Sequence, residues 1–522
     1  MYINYNTVHG KEYATVTSSV RKGGSVLKGE QIYLGRVIDK SRGIYKSRER
    51  GLFRYDLSTN TYSAVDPDFI EPKETRKTKY PRRAILSVSF GDTYVLDQFV
   101  RSNGFLNTID ATGFRNLDTL HALFAYYILS PHANSHAQDW FDLTYAKYLY
   151  PKAQLSSQRI SDALADIGSE EAKRGFFKAY IGFLEKRPSA DTDKPQMNGM
   201  TDGILIDSTG LPNAIQTPLT AVNNHNGVIS EEIRLIYVVQ QHTGMPLFYR
   251  YVNGNVIDVG TIVRTIAELK DNGVNTKFAI LDAGYYTEVN ADTLLDAHVS
   301  FISRLKSNFR VYKEVVEENL AGLECKENLI RYQRRLVYVK CVPCKIGKKH
   351  DKNAYAYLCK DLTTAHQLQK QLVERAADQD LRGDQIYDEM QKNGIFILIS
   401  SRRIAVDKIL PLYYTRDQIE KIFEVCKSDS KLLPLNVETE AAFRGHLMMT
   451  FLAAVTIRLM SDKLAGSGLT PETVFMNLHE QHALVYDNEF VTTEPPKAVN
   501  EAYKALNIEC PITIPRTASD VD

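Results

Sequence analysis

The sequence predicts an α/β protein: a mixed sheet flanked by helices and interrupted by a β-rich insertion, with a β-rich and then a helical region ahead of it. Three observations predict this. Between Gly203 and Leu305, apolar strand-like runs alternate with helix-like stretches in a definite order. Two of those runs end in an aspartate, at Asp207 and Asp282. Apolar residues before this region fall at helical spacing, and those after it return to strand-like pieces before helices close the chain.

Residues 1–83 read as a basic β-rich module. From Tyr2 to Tyr62, Tyr, Val, Ile and Thr are punctuated by turn signals such as Lys22-Gly23-Gly24 and Ser41-Arg42-Gly43. The segment holds 17 Lys and Arg against 9 Asp and Glu, in a chain whose formal net charge is only +1. Such an imbalance suits a module that touches a polyanion. Basic residues interleave with aromatics between Tyr45 and Tyr55, and Pro72 to Arg83, with six Lys or Arg, reads as a linker.

Residues 84–198 read as a helical domain. Leu117 to Ile128 and Phe141 to Tyr150 are spaced for helices, and Ser156 or Ser157 is placed to cap the next one. The polar, proline-bearing stretch Arg187 to Asn198 marks a boundary.

Residues 199–310 read as the first part of an α/β core. Gly203 to Asp207, Ile233 to Val239 and Leu247 to Val252 read as strands, Val259 to Lys270 as a helix, Phe278 to Asp282 as a strand, Ala291 to Ala297 as a short helix and Phe301 to Leu305 as a strand. Three strands, helix, strand, helix, strand is the order of an RNase H-like sheet. A lone aspartate after a strand usually begins a turn. Two of them on strands in this order would face one crevice at the carboxyl ends of the sheet.

Residues 311–402 read as the insertion, with β-like pieces at Tyr338 to Cys341 and Ala354 to Leu358, a charged helical stretch from Ala365 to Lys392, and a strand at Gly394 to Ile399. Residues 403–480 read as the helical completion of the core, with helices at Thr415 to Lys427 and Ala441 to Met460, and 481–522 as a proline-punctuated tail.

The chemistry gathers in Tyr413 to Lys427. At about 100° per residue, Arg416, Glu420 and Lys427 fall on one narrow helix face, with Tyr413 joining them if the helix extends that far. Ile419, Ile422, Phe423 and Cys426 fall on a neighbouring apolar face suited to docking on a sheet. A carboxylate between cations is ordinarily a simple helical ion pair. Together with Asp207 and Asp282, however, Glu420 would make three convergent carboxylates, able to hold two hard divalent cations for in-line phosphoryl transfer. Arg416 and Lys427 suit phosphates, and Tyr413 can stack on an extruded base.

This segment resembles the Tyr-x2-Arg-x3-Glu-x6-Lys signature of bacterial insertion-sequence DDE transposases, at Tyr413, Arg416, Glu420 and Lys427. The similarity extends to Ile206-Asp207-Ser208-Thr209-Gly210, to Asp282-Ala283-Gly284-Tyr285-Tyr286 and to Phe301 to Lys306. It covers about 200 to 460, and the family also carries a β-rich insertion before its glutamate. The resemblance implies a cut-and-paste transposase with Asp207, Asp282 and Glu420 as catalytic metal ligands and two Mg2+ or Mn2+ ions per site. Contacts to DNA would come from Tyr413, Arg416, Lys427, Thr209, Tyr285, Arg304 and Lys306. It further implies a homodimer on double-stranded DNA, at terminal inverted repeats and target DNA, no organic cofactor, and a bacterial cytoplasmic setting at the nucleoid. The alternatives are a metal-dependent nuclease without strand transfer and a DNA-binding derivative that has lost catalysis.

Other features carry less. Six cysteines in 522 residues are too few for a disulfide scaffold. Cys341 and Cys344, with Cys325, Cys359 and His350, could make a zinc site, but the spacings are loose and the signature does not call for zinc. His446 reads as a packing residue, and the cluster of His132, His136 and Asp139 lacks the acid placement of a metalloprotease motif. The longest apolar run, Leu447 to Leu459, is broken by Thr450, Thr456 and Arg458, so neither a membrane span nor a signal peptide is expected.

Overall fold

In a computed structural model, the chain divides into two compact units, Met1–Arg83 and Ala84–Asp522. The structure describes all residues except 9–10, 23–24, 67–68, 70–85, 188–199, 202, 214–216, 226–227, 257–259, 380–382, 429–438 and 517–522. The expected linker from Pro72 to Arg83 lies outside the described residues, as does most of the expected boundary after Arg187.

The first unit is a six-stranded antiparallel meander of β1 (Tyr2–Val8), β2 (Lys11–Lys22), β3 (Ser25–Asp39), β4 (Ile44–Ser47), β5 (Gly51–Asp56) and β6 (Thr61–Ser63), paired in chain order. Alternation sorts its side chains. Ala14, Val16, Leu34, Tyr45, Phe53 and Tyr55 are buried together on one face, while Asn4, Asn6, Tyr33 and Lys46 point to solvent from the other. Gly35 has φ +91° where a Cβ would meet the Lys46 carbonyl, so only glycine fits at this irregularity in the β2–β3 pairing.

The second unit opens with β7 (Leu86–Ser89) and the helices α1 (Gly91–Ser102), α2 (Phe105–Asp110), α3 (Leu117–Leu129), α4 (Ala137–Leu143), α5 (Ala146–Leu149), α6 (Ser157–Ile167) and α7 (Glu170–Glu185). Ser156 is the N-cap of α6 but makes no side-chain cap bond, whereas Asn116 and Ser169 cap α3 and α7 through Thr119 N and Ala172 N.

The central sheet follows. Its elements are β8 (Met200–Thr201), β9 (Ile204–Pro212), β10 (Ala221–His225), β11 (Val228–Gln240), β12 (Pro246–Asn253), α8 (Ile262–Asp271), β13 (Asn275–Thr276), β14 (Phe278–Leu281), α9 (Glu288–Asp296) and β15 (Ser300–Leu305). β12 pairs with β11, β11 with β9, β9 with β14 and β14 with β15; β9, β14 and β15 are parallel and β11 runs against β9. That is the RNase H-like order. Ile204, Leu205, Ile206 and Phe278 to Leu281 are buried throughout, as expected for parallel strands covered on both faces.

The region after β15 continues this same sheet. α10 (Arg310–Asn319), β16 (Leu329–Tyr332), β17 (Arg335–Ile346), β18 (Lys352–Asp361), α11 (Leu362–Gln379), α12 (Gly383–Lys392) and β19 (Ile395–Ser400) follow in chain order. β19 pairs antiparallel with β15, and β18, β17 and β16 extend the sheet outward. The β-like reading from Val311 missed α10, whose Val311 and Val315 are buried at helical spacing.

Helices then return: α13 (Val406–Tyr413), a 3-10 turn at Tyr414–Arg416, α14 (Asp417–Ser428), α15 (Glu440–Lys463) and α16 (Pro471–His479). The segment expected as a tail folds as β20 (His482–Val485), β21 (Glu489–Thr492), α17 (Lys497–Leu506) and β22 (Thr513–Pro515). β20 pairs with β7, so a four-stranded sheet joins the two ends of this unit. Strands this short give almost no periodic signal; pairing with β7, nearly 400 residues away, makes them strands.

One hydrophobic core runs through the second unit. Phe451 of α15 packs against Phe176, Phe177 and Tyr180 of α7, and also against Tyr237 of β11 and Tyr249 of β12. The helical region and the sheet are thereby one body. Among the described residues no helix is long and apolar enough to cross a membrane.

Candidate active site

Sheet register brings the two aspartates together. In the parallel pairing of β14 with β9, Leu281 lies opposite Ile206, so the next residues on each strand are Asp282 and Asp207. The Asp207 side chain is 13% exposed and the Asp282 side chain 38%. Asp207 Oδ1 accepts from Ser208 N at 2.8 Å. The Asp282 carbonyl accepts from Ser303 Oγ and from Tyr285 N, each at 3.1 Å, which ties the end of β14 to β15 and starts a turn. Sequence reasoning passed over Ser303. Its signal was a polar residue, fully buried, inside an apolar strand.

The third acid arrives on α14. Ile419, Ile422 and Phe423 are buried, and the Phe423 ring meets Tyr237 of β11 edge-on at 5.5 Å, so the predicted apolar face does dock on the sheet. The opposite consequence is that Glu420, 60% exposed, stands at the crevice. Cys426 and Lys427 lie in α14, but their side chains are outside the described residues.

Arg416 links all three acids. Its Nη2 is 3.0 Å from Glu420 Oε1 and 3.5 Å from Asp207 Oδ2, and its Nη1 pairs with Asp282 Oδ1. Nη1 also donates to the Tyr413 hydroxyl at 3.2 Å. Burial acts to lower the Arg416 pKa, but the charges of Asp207 and Asp282 outweigh it and hold the guanidinium above its ordinary value. Burial pushes the Tyr413 phenol up to about 12, against the pull of Arg416. The continuous helix face from Tyr413 does not form: Tyr413 ends α13, the 3-10 turn intervenes, and contact through Arg416 replaces helical spacing.

The remaining predicted contacts separate. Thr209 is two residues beyond Asp207 on β9 and half-buried, on the same face of the strand. Arg304 and Lys306 are exposed, and the Arg304 guanidinium lies over the Phe396 ring at 5.1 Å. Tyr285 is fully buried, which places its ring in the core rather than at the crevice. The insertion borders the site, since Tyr332 of β16 stacks on Tyr414 at 5.3 Å.

Residues 198–456 match the family model described as the transposase DDE domain. This region of the chain is thus similar to that domain. Its matched span includes both aspartates, Arg416 and Glu420. Among solved structures, the cryo-EM structure of the piggyBac transposase synaptic complex with hairpin DNA is similar at 12% identity and a TM-score of 0.40, over 74% of this chain and 79% of that one. No curated protein sequence matches.

As a cation site, this crevice offers carboxylate oxygens alone, the donors that hard divalent ions take. Four named charges meet there, three carboxylates and one guanidinium, so negative charge is in excess. Among the described residues no three His, Cys, Asp or Glu side chains are gathered as closely as an ion requires; these three acids are instead arranged around Arg416.

Elsewhere, Cys341 and Cys344 are three residues apart on the regular strand β17 and so leave opposite faces of it. His446 is buried and hydrogen-bonds the Tyr127 hydroxyl at 2.8 Å. His132 and His136 line a cavity of about 780 Å³ with Trp140 and His479.

Proposed function

We propose that this protein is a cut-and-paste DNA transposase whose Asp207, Asp282 and Glu420 bind two Mg2+ or Mn2+ ions. One observation carries the reading: three carboxylates far apart in sequence contact a single guanidinium at the carboxyl end of an RNase H-like sheet. Asp207 and Asp282 would hold the ions from rigid strands and Glu420 from α14. Bound there, the ions would supply Lewis-acid activation of the attacking oxygen and stabilisation of the leaving oxygen.

The chain's own part is charge and position. Arg416 neutralises the acids in the DNA-free protein and turns to a phosphate when DNA and ions arrive, because a guanidinium matches phosphate as well as carboxylate. Thr209, Arg304, Lys306 and Lys427 extend the DNA contacts, and the Tyr413 ring, now buried beside Arg416, becomes available to a displaced base if α13 moves. The substrates would be terminal inverted repeats and target DNA, bound by a homodimer in a bacterial cytoplasm.

The deciding experiment incubates the purified protein with Mn2+ and DNA from the flanks of its own gene, then maps cut ends and joined products. Cuts at a repeat boundary with joined products support the proposal. Cleavage with no joining would instead assign a nuclease, and no cleavage under any divalent ion a DNA-binding derivative.

A further inference from the structure

The exposed face of the N-terminal sheet has a composition unlike an ordinary solvated surface. Register places Asn6, Tyr13, Arg36 and Lys46 in one row across β1 to β4, and Asn4, Thr15 and Tyr33 in the next row across β1 to β3. Neither row contains a carboxylate. The Tyr13 and Tyr33 rings lie on this face with centroids 6.5 Å apart and planes 18° from parallel. Tyr33 is 62% exposed, although a tyrosine ring on a polar face gains nothing from facing water.

The opposite face is committed to the core through Ala14, Val16, Leu34, Tyr45 and Phe53. Two carboxylates of this unit have contacts of their own: Asp39 accepts from Ser41 and Arg42 in its turn, and Glu12 pairs with Lys40 at 2.7 Å. The residues of the two rows are rings, amides, a hydroxyl and cations, in a module with an excess of eight positive charges.

We propose that this face is a platform for single-stranded DNA, with Tyr13 and Tyr33 stacking on unpaired bases and Arg36 and Lys46 holding the backbone. Charge complementarity selects a polyanion. Ring geometry selects an unpaired strand, because flat exposed rings offer a stacking surface to any splayed base, whereas the bases of a duplex are already stacked on one another. Asn4 and Asn6 are placed to reach base edges. The proposal stands apart from the acids of the DDE domain and survives if their assignment fails.

The test uses the full chain in EDTA, with fluorescence anisotropy of a labelled oligothymidine and of a duplex hairpin of equal length. Tyr33→Ala should weaken oligothymidine binding about tenfold and leave duplex binding unchanged, while Tyr33→Phe binds like the parent. Lys46→Gln should flatten the salt dependence of oligothymidine binding by about 0.7 in log–log slope. Parental affinity in Tyr33→Ala, an equal loss on duplex, or tighter binding of oligouridine than of oligothymidine would each overturn the proposal.

Discussion

Arg416 and Glu420 sit one turn apart across the junction of the 3-10 turn and α14, and the nitrogen of Arg416 that lies 3.0 Å from Glu420 is the one that also reaches Asp207 at 3.5 Å. The helix-borne acid and the strand-borne acid thus share a single cationic nitrogen. In a cleft with three carboxylates, Nη2 holds two of them and Nη1 of the same guanidinium pairs with the third, Asp282.

Removing an acid should stop chemistry without unfolding the sheet. Asp282 is 38% exposed at the end of β14, so Asp282→Ala leaves the buried run Phe278 to Leu281 intact. Cleavage of repeat-end DNA in Mn2+ should fall more than about 100-fold, beyond what loss of a supporting partner of a metal ligand does. DNA affinity, measured by electrophoretic shift, should persist. A Asp282→Ala protein that cleaves normally would sink the site assignment.

Removing the shared cation should make folding depend on divalent ions. In Arg416→Gln the acids lose their neutralising partner, and breaking a largely buried pair destabilises by up to about 3 kcal/mol. Melting in EDTA should occur at a lower temperature than for the parent, and Mg2+ should raise the variant's melting point more than the parent's. Equal melting points in EDTA would show that Arg416 does not balance the acids.

Gly445 should tolerate no side chain. A Cβ there would come within 1.9 Å of the Leu164 carbonyl, because α15 crosses α6 with backbones in contact, and a Cβ on Gly168 at the same crossing would come within 2.4 Å of Gly445 N. Gly445→Ala gains helix propensity but must push α6 away, a net loss of about 1–3 kcal/mol or more. Chemical denaturation would measure it, and a variant as stable as the parent would contradict the close crossing.

His479 should give the second unit a pH-dependent increment of stability. The hydrogen bond from its Nδ1 to buried Asp92, 2.8 Å, raises its pKa above the ordinary value; burial opposes this and the Asp92 charge adds to it. A raised folded-state pKa means the increment is fully present below the unfolded histidine value, about 6.5, and fades as pH rises through the folded value. Thermal melts from pH 5.5 to 8.5 should show His479→Gln lacking this decline; parallel curves for the two proteins would refute it.

Much of the site was legible in local pattern. The apolar runs ending at Asp207 and Asp282 are strands because both faces are covered, and the 100° spacing of Ile419, Ile422 and Phe423 already said which side of α14 would be buried. Tyr285 shows the limit, since proximity in sequence to Asp282 carries no information on which way the ring turns, and the turn after β14 sends it inward. α10 was missed although Val311 and Val315 fall at helical spacing, whereas the strands β20 to β22, three or four residues each, have too few residues for periodicity to emerge.

By itself the sequence determined the order of strands and helices in the core, the acids that end two of the strands, and the amphipathic helix bearing the third, since these follow from the periodicity of apolar residues along the chain. The tertiary structure alone decided that the insertion extends the central sheet, that β20 closes on β7, and that Arg416 stands among the three acids. Those are contacts between segments tens to hundreds of residues apart, set by register and packing, and no local spacing encodes them.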